Sequence, residues 1–195
     1  MKRNQSIVAA SLGSIALVAA LTLSGGGAAY ATTPDPDSTA APSQSCWIEA
    51  STQQSLCVPT GEDLIAAVQE LDGVTIEVPI GTNVSGIIID KAHSLATSQF
   101  SVSATASLEA VSIIYDDINY GGGSMVMTSY TGCNAGVPSL VPYGWNDRAS
   151  SFKSYNGCLT ALYQNINYGG THVGYSSSKA SFGSQNDQGS SWETE

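Results

Sequence analysis

Between Val111 and Trp192 the hydrophobic residues come in short runs, VSIIY, SMVMTSY, CLTALY and THVGYSS, each broken by Gly, Asn, Asp or Ser. That spacing predicts β-strands separated by turns. Two of the breaks, NYGGG and NYGG, suit folded hairpins whose backbones need positive φ angles. The lengths allow about four strands in each half and eight in all. The pattern predicts an antiparallel sandwich of Greek keys.

Upstream the pattern changes. CWIEA and SLCVP read as two short strands around a polar turn. Gly61-Glu62-Asp63 opens DLIAAVQELDG, in which Leu64, Ala67, Val68 and Leu71 fall at helical spacing and Gly73 follows the end. VTIEVPIG reads as a strand and GIIID as another. Residues 46–110 therefore form a small α+β unit of unassigned role, with the amphipathic stripe of the helix as core. Lys91 to Ser107 is small, polar and weakly patterned, which leaves helix, loop and connector open; His93 within it reads as an exposed polar residue. Thr32 to Ser45 is rich in Pro, Ser, Thr and Ala and has no large apolar residue, so 32–45 reads as a flexible linker. Before it, Lys2 and Arg3 precede an apolar run from Ile7 to Leu23 and an Ala29-Tyr30-Ala31 site. This predicts a secretory signal peptide over 1–31, cleaved after Ala31. A membrane anchor is the competing reading, but Gly13 and the Ser and Thr residues dilute the run.

The β region repeats itself. Ile114 to Gly122 reads IYDDINYGG and Leu162 to Gly170 reads LYQNINYGG; NDRASSF from Asn146 to Phe152 and NDQGSSW from Asn186 to Trp192 follow in the same order. Two copies are too few for a solenoid. They read as halves of one domain over 111–195. In each NDxxSS word Asn and Asp offer carboxyl or carboxamide oxygens, Ser a hydroxyl, and the turn a set of carbonyls. An oxygen-only set suits Ca²⁺ and fits the stricter octahedron of Mg²⁺ less well. A polar loop capping its own turn is the competing explanation, and repetition in register weakens it. Tyr115 with Tyr120, and Tyr163 with Tyr168, read as rings stacked across hairpin tips, where Gly122 and Gly170 relieve crowding. An aromatic platform for sugar or peptide is the functional alternative.

Charge adds one constraint. The net charge is −10, and loss of Lys2 and Arg3 with the leader leaves four basic against sixteen acidic residues, a net −12. Such acidity disfavours nucleic acid and anionic membrane as partners and favours a cation. The four cysteines of an exported chain read as two disulfides. Cys46 pairs with Cys57 across a hairpin; Cys133 pairs with Cys158, between the early part of the first repeat and the start of the second. With no CxxC and only two separate histidines, His93 and His172, a zinc site is a poor reading.

YxxxxYxG followed by NDxxSS, twice, resembles the βγ-crystallin domain, in particular its calcium-binding microbial branch, over roughly Ser112 to Trp192. The resemblance implies a mainly β, two-Greek-key sandwich, here preceded by the α+β unit, that holds two calcium ions. It assigns ligand roles to Asn146, Asp147 and Ser150 with the Arg148 carbonyl, and to Asn186, Asp187 and Ser190 with the Gln188 carbonyl. Further carbonyls come from Ile118 or Asn119 and Ile166 or Asn167. Ser151 and Ser191 brace the turns, and Phe152 and Trp192 face the core. One departure stands out: the interval from Tyr115 to Asn146 is eight residues longer than that from Tyr163 to Asn186. The extra length falls around Cys133 to Trp145 and resembles the region of secreted bacterial metalloproteinase inhibitors of this fold.

Two functions follow as expectations. One is a secreted calcium-binding protein stabilised by its ions. The alternative is a proteinase inhibitor presenting a protruding, disulfide-braced 133–145 loop to an extracellular protease. An enzyme is disfavoured: there is no GxSxG, no HExxH, and no cysteine left to act as a nucleophile.

Overall fold

The computed structural model describes residues 43–98 and 106–195; the expected signal peptide, and the linker up to residue 42, lie outside them. Strands β1 (Gln44–Glu49) and β2 (Ser55–Pro59) form the first hairpin, with Cys46 directly opposite Cys57. The strand thus begins at Gln44, inside the stretch read as linker. Helix α1 (Leu64–Asp72) starts where Asp63 accepts a hydrogen bond from the Ala66 N–H at 3.0 Å. It stops at Gly73, whose φ of 69° an ordinary residue adopts reluctantly. Strand β3 (Val74–Glu77) follows. Of the apolar GIIID run only Ile87 and Ile88 are strand: β4 (Asn83–Val84) and β5 (Ile87–Ile88) pair as a minimal hairpin around Ser85 and Gly86, both at positive φ. The ambiguous stretch after Asp90 begins as helix α2 (Lys91–Ser98), with Asp90 accepting from the His93 N–H at 2.7 Å. His93 is not the exposed residue expected of it: it is half-buried, 3.4 Å from the Asp63 carboxylate.

The rest is β: β6 (Ala106–Tyr115), β7 (Ser124–Thr128), β8 (Ala135–Val137), β9 (Ser151–Ser154), β10 (Thr160–Asn165), β11 (Gly169–His172), β12 (Ser178–Lys179) and β13 (Ser191–Thr194). They make two Greek keys that exchange one strand each. β8 leaves the first half to pair with β13, and β12 leaves the second to pair with β9. One sheet runs β12-β9-β6-β7-β1-β2 with β3 beside β6; the other runs β11-β10-β13-β8. The fold is the mainly β, two-Greek-key sandwich that the patterning predicts. The segment read as an α+β unit is built onto the first sheet, since β1 lies parallel to β7 and β3 parallel to β6.

Two cores result. Ile114, Met125, Met127, Phe152, Leu162 and Trp192 pack between the two sheets. Phe152 and Trp192 are both fully buried there. On the outer face of the first sheet, Trp47, Leu64, Val68, Ile76, Ile113, Tyr115 and Val126 form the second core. Each such side chain taken out of water contributes about 1.5–3 kcal/mol before entropy is charged against it. Both disulfides form, Cys46–Cys57 and Cys133–Cys158.

Candidate functional site

The two repeated words meet at one end of the sandwich because each hairpin is pinned to the loop of its own half. Ser151 Oγ donates to the Asp117 carbonyl at 2.5 Å and accepts from the Tyr120 N–H at 3.0 Å. Ser191 does the same with the Asn165 carbonyl at 2.6 Å and the Tyr168 N–H at 2.9 Å. Tyr115 meets Tyr120 edge-on at 5.8 Å and Tyr163 meets Tyr168 edge-on at 5.9 Å. Gly122 and Gly170 carry φ of 71° and 77°, and a Cβ on either would lie 2.8 Å from a side-chain atom of Asp117 or Asn165. The folded hairpins therefore admit no larger residue there without strain.

The two NDxxSS loops then face each other. Asp147 and Asp187 both stand at φ 56°. The Asp147 N–H donates to the Gly189 carbonyl at 2.8 Å, and the Asp187 N–H donates to the Ala149 carbonyl at 3.1 Å. Ser150 Oγ donates to Asp187 Oδ1 at 2.8 Å, joining the hydroxyl of one loop to the carboxylate of the other. Each loop is also held to the hairpin of its own half, the Ser150 N–H donating to the Tyr115 carbonyl and the Ser190 N–H to the Tyr163 carbonyl, each at 2.8 Å. An open depression beside the loops is lined by Asp147, Gln164, Asn165, Asp187 and Gln188.

The halves are not identical. Arg148 donates from Nε and Nη2 to Asp116 at 3.0 and 2.8 Å and lies over the Trp145 ring at 4.2 Å. At the equivalent place Gln164 donates to Gln188 Oε1 at 2.5 Å. Asn146 turns its amide onto Asp147 Oδ2 at 2.6 Å, whereas Asn186 Oδ1 accepts from the Phe182 N–H at 2.8 Å. The hairpin tips carrying Ile118, Asn119, Ile166 and Asn167 are tied to the exchanged segments, with the Asn119 N–H on the Ala180 carbonyl and the Asn167 N–H on the Pro138 carbonyl, both at 2.7 Å.

The 133–145 segment does not protrude as expected. Ala135 to Val137 is a strand of the second sheet, Leu140 and Trp145 are fully buried, and Gln44 Nε2 donates to the Tyr143 carbonyl at 2.7 Å. Most of its added length lies ahead of β8, around Cys133; the 3₁₀ turn Val141–Tyr143, with Val141 exposed, has a counterpart in the second half at Gly183–Gln185. Leu140 and Trp145 were legible as apolar; that they bury on the side of a neighbouring strand depends on the strand exchange.

Residues 114–175 match the model of peptidase inhibitor family I36. The matched stretch is about a third of the chain and runs from β6 through both sulfurs of the Cys133–Cys158 bridge to Tyr175. No curated protein matches. Among solved structures, the chain is similar to a βγ-crystallin domain from Clostridium beijerinckii, at 28% identity over 43% of this chain and 95% of that one, with a TM-score of 0.37. It is also similar to the N-terminal domain of protein S, at 20% identity over 44% and 96% with a TM-score of 0.38. A βγ-crystallin from Ciona intestinalis stands at 20% identity over 43% and 98%, with a TM-score of 0.36.

The donor chemistry decides which metal the paired loops could hold. The side chains around the depression are two carboxylates and three amides, all of them oxygen donors. Among the described residues no three His, Cys, Asp or Glu side chains gather as a metal-binding group. Zinc and softer ions are poorly served by such a set, while a hard cation that accepts carbonyl and hydroxyl oxygens fits it.

One buried acid was missed in the sequence. Glu49, 1% exposed, accepts from the Thr52 N–H at 2.7 Å, from Thr52 Oγ at 2.9 Å and from the Tyr130 N–H at 3.3 Å. Burial pushes its carboxyl up, but the backbone and side-chain donors of Thr52, with the N–H groups of Ser51 and Tyr130, outweigh this and hold it below the ordinary carboxylate value. Alternation puts Glu49 on the same strand face as Trp47, but nothing in WIEAST shows the donors that satisfy a buried carboxylate there.

Proposed function

We propose that this chain is an exported calcium-binding protein in which the paired NDxxSS loops form one clamp of two sites, the ions serving the stability of the sandwich. The observation that carries the reading is the reciprocal bonding of the loops, above all Ser150 on Asp187. Two turns that merely capped themselves would have no need of each other's carbonyls. Asn146, Asp147 and Ser150 with the Arg148 carbonyl, and Asn186, Asp187 and Ser190 with the Gln188 carbonyl, would hold the ions. Calcium supplies positive charge between Asp147 and Asp187, and the folded chain keeps those oxygens converged. A ligand bound only by the folded state stabilises it by RT ln(1 + [L]/Kd), about 4 kcal/mol at a thousandfold excess over Kd. Thermal unfolding in millimolar calcium and in chelator checks this: a higher midpoint with calcium, lost in Asp187→Ala, is expected, and coincident curves would refute it. Export is consistent with two disulfides and with the leader pattern.

The match to peptidase inhibitor family I36 favours a second role for the same scaffold, inhibition of an extracellular protease. The Val141–Tyr143 turn, with Val141 and Pro142 exposed, is a part of the 133–145 segment that a protease could reach. It is held between buried Leu140 and Trp145, so little ordering entropy is lost on docking. Assay against a panel of secreted metallo- and serine proteases tests it: inhibition removed by Val141→Asp supports the role, and no inhibition across the panel excludes it.

A further inference from the structure

The internal repeat places Tyr168 where the first half has Tyr120, and Glu193 where the first half has Lys153. In the first half the chain supplies its own cation, with Lys153 Nζ 4.4 Å from the centre of the Tyr120 ring. In the second half that position holds a carboxylate, and Glu195 follows two residues on. A cavity of about 360 Å³ opens there, lined chiefly by Asn134, Gly136, Tyr168, Tyr175, Glu193 and Glu195, with no Lys or Arg in its wall. Glu193 is held in place: Tyr163 donates to its Oε1 at 2.6 Å and Tyr175 donates to the same oxygen. Gly136 leaves room for the Tyr168 hydroxyl, which would stand 2.5 Å from a Cβ at that position. The corresponding face of the first sheet is covered by Trp47, Leu64 and Val68, and Tyr115 is fully buried beneath them, whereas Tyr163 is only half-buried.

We propose that this cavity binds an organic cation, the guanidinium or ammonium of a basic side chain carried by a partner protein. Ring faces attract a cation through their quadrupole and the two carboxylates add charge. Ring faces are no ligands for calcium, which separates this site from the paired loops. A chain of such net negative charge also steers basic partners toward itself.

The test uses the whole folded chain and two probes, a tetra-arginine peptide and its neutral tetra-citrulline counterpart, followed by NMR of the Tyr168 and Tyr175 ring protons. The arginine peptide is expected to shift both rings saturably and the citrulline peptide to leave them unmoved. Glu195→Gln should weaken binding about fivefold. Glu193→Lys restores the arrangement of the first half and should abolish binding while the remaining spectrum stays that of the folded chain. Equal response to both peptides, or undiminished binding by Glu193→Lys, would overturn the proposal.

Discussion

At the residue scale, single buried polar contacts carry identifiable amounts of stability. Ser151 is fully buried and satisfies both a carbonyl and an N–H of the first hairpin. Ser151→Ala strands both groups and should cost about 1–3 kcal/mol, measured by urea unfolding; a cost within error would mean that water replaces the hydroxyl. Glu49 gives a pH prediction. Its folded pKa is depressed, so its contribution is present above the unfolded value, 4.5, and is lost as pH falls through the lower folded value. Stability profiles of wild type and Glu49→Gln should therefore converge on acidification below that value; parallel profiles would contradict the assignment. Glu49 also marks a limit of sequence reading. An acidic side chain in a strand gives no sign of burial, and only the fold around Thr52 and Tyr130 makes a buried carboxylate tolerable.

At the element scale, most strands, the first helix and the folded hairpins were legible because each has a local cause: alternation, apolar residues at helical spacing with Gly73 after them, and glycines at positive φ; that Asp63 caps the helix rather than joining it is seen only in the structure. The exchange of β8 and β12 was not, since no local preference records which distant strand completes a sheet. That is why the 133–145 segment reads as a free loop and folds as a strand and an exposed turn anchored by buried Leu140 and Trp145. The Asp116 to Arg148 pair was hidden for the same reason, because the sequence offers Arg148 only as a position in a motif. The Cys133–Cys158 bridge ties the segment leading into the exchanged strand β8 to the segment leading into β10. Replacing both cysteines by serine should lower stability by about 3 kcal/mol, read from the thermal midpoint under non-reducing conditions; an unchanged midpoint would show that the strand pairing alone holds the segment.

At the scale of the whole molecule, the first sheet is shared by the segment before residue 99 and the Greek keys, and its outer face is buried by the former. Trp47 is the largest member of that contact, fully buried, with its Nε1–H donating to Thr128 Oγ at 2.9 Å. Trp47→Ala should cost about 3–5 kcal/mol and lower a single cooperative transition; two separated transitions would mean that the segments fold independently. Calcium titration calorimetry on the chain from Thr32 tests the pairing of the two loops most directly. Two ions per chain, with binding weakened by Asp147→Ala and by Asp187→Ala alike, is the predicted result, because each loop leans on the other. No calcium-dependent heat, or two-ion binding indifferent to either substitution, would contradict the clamp.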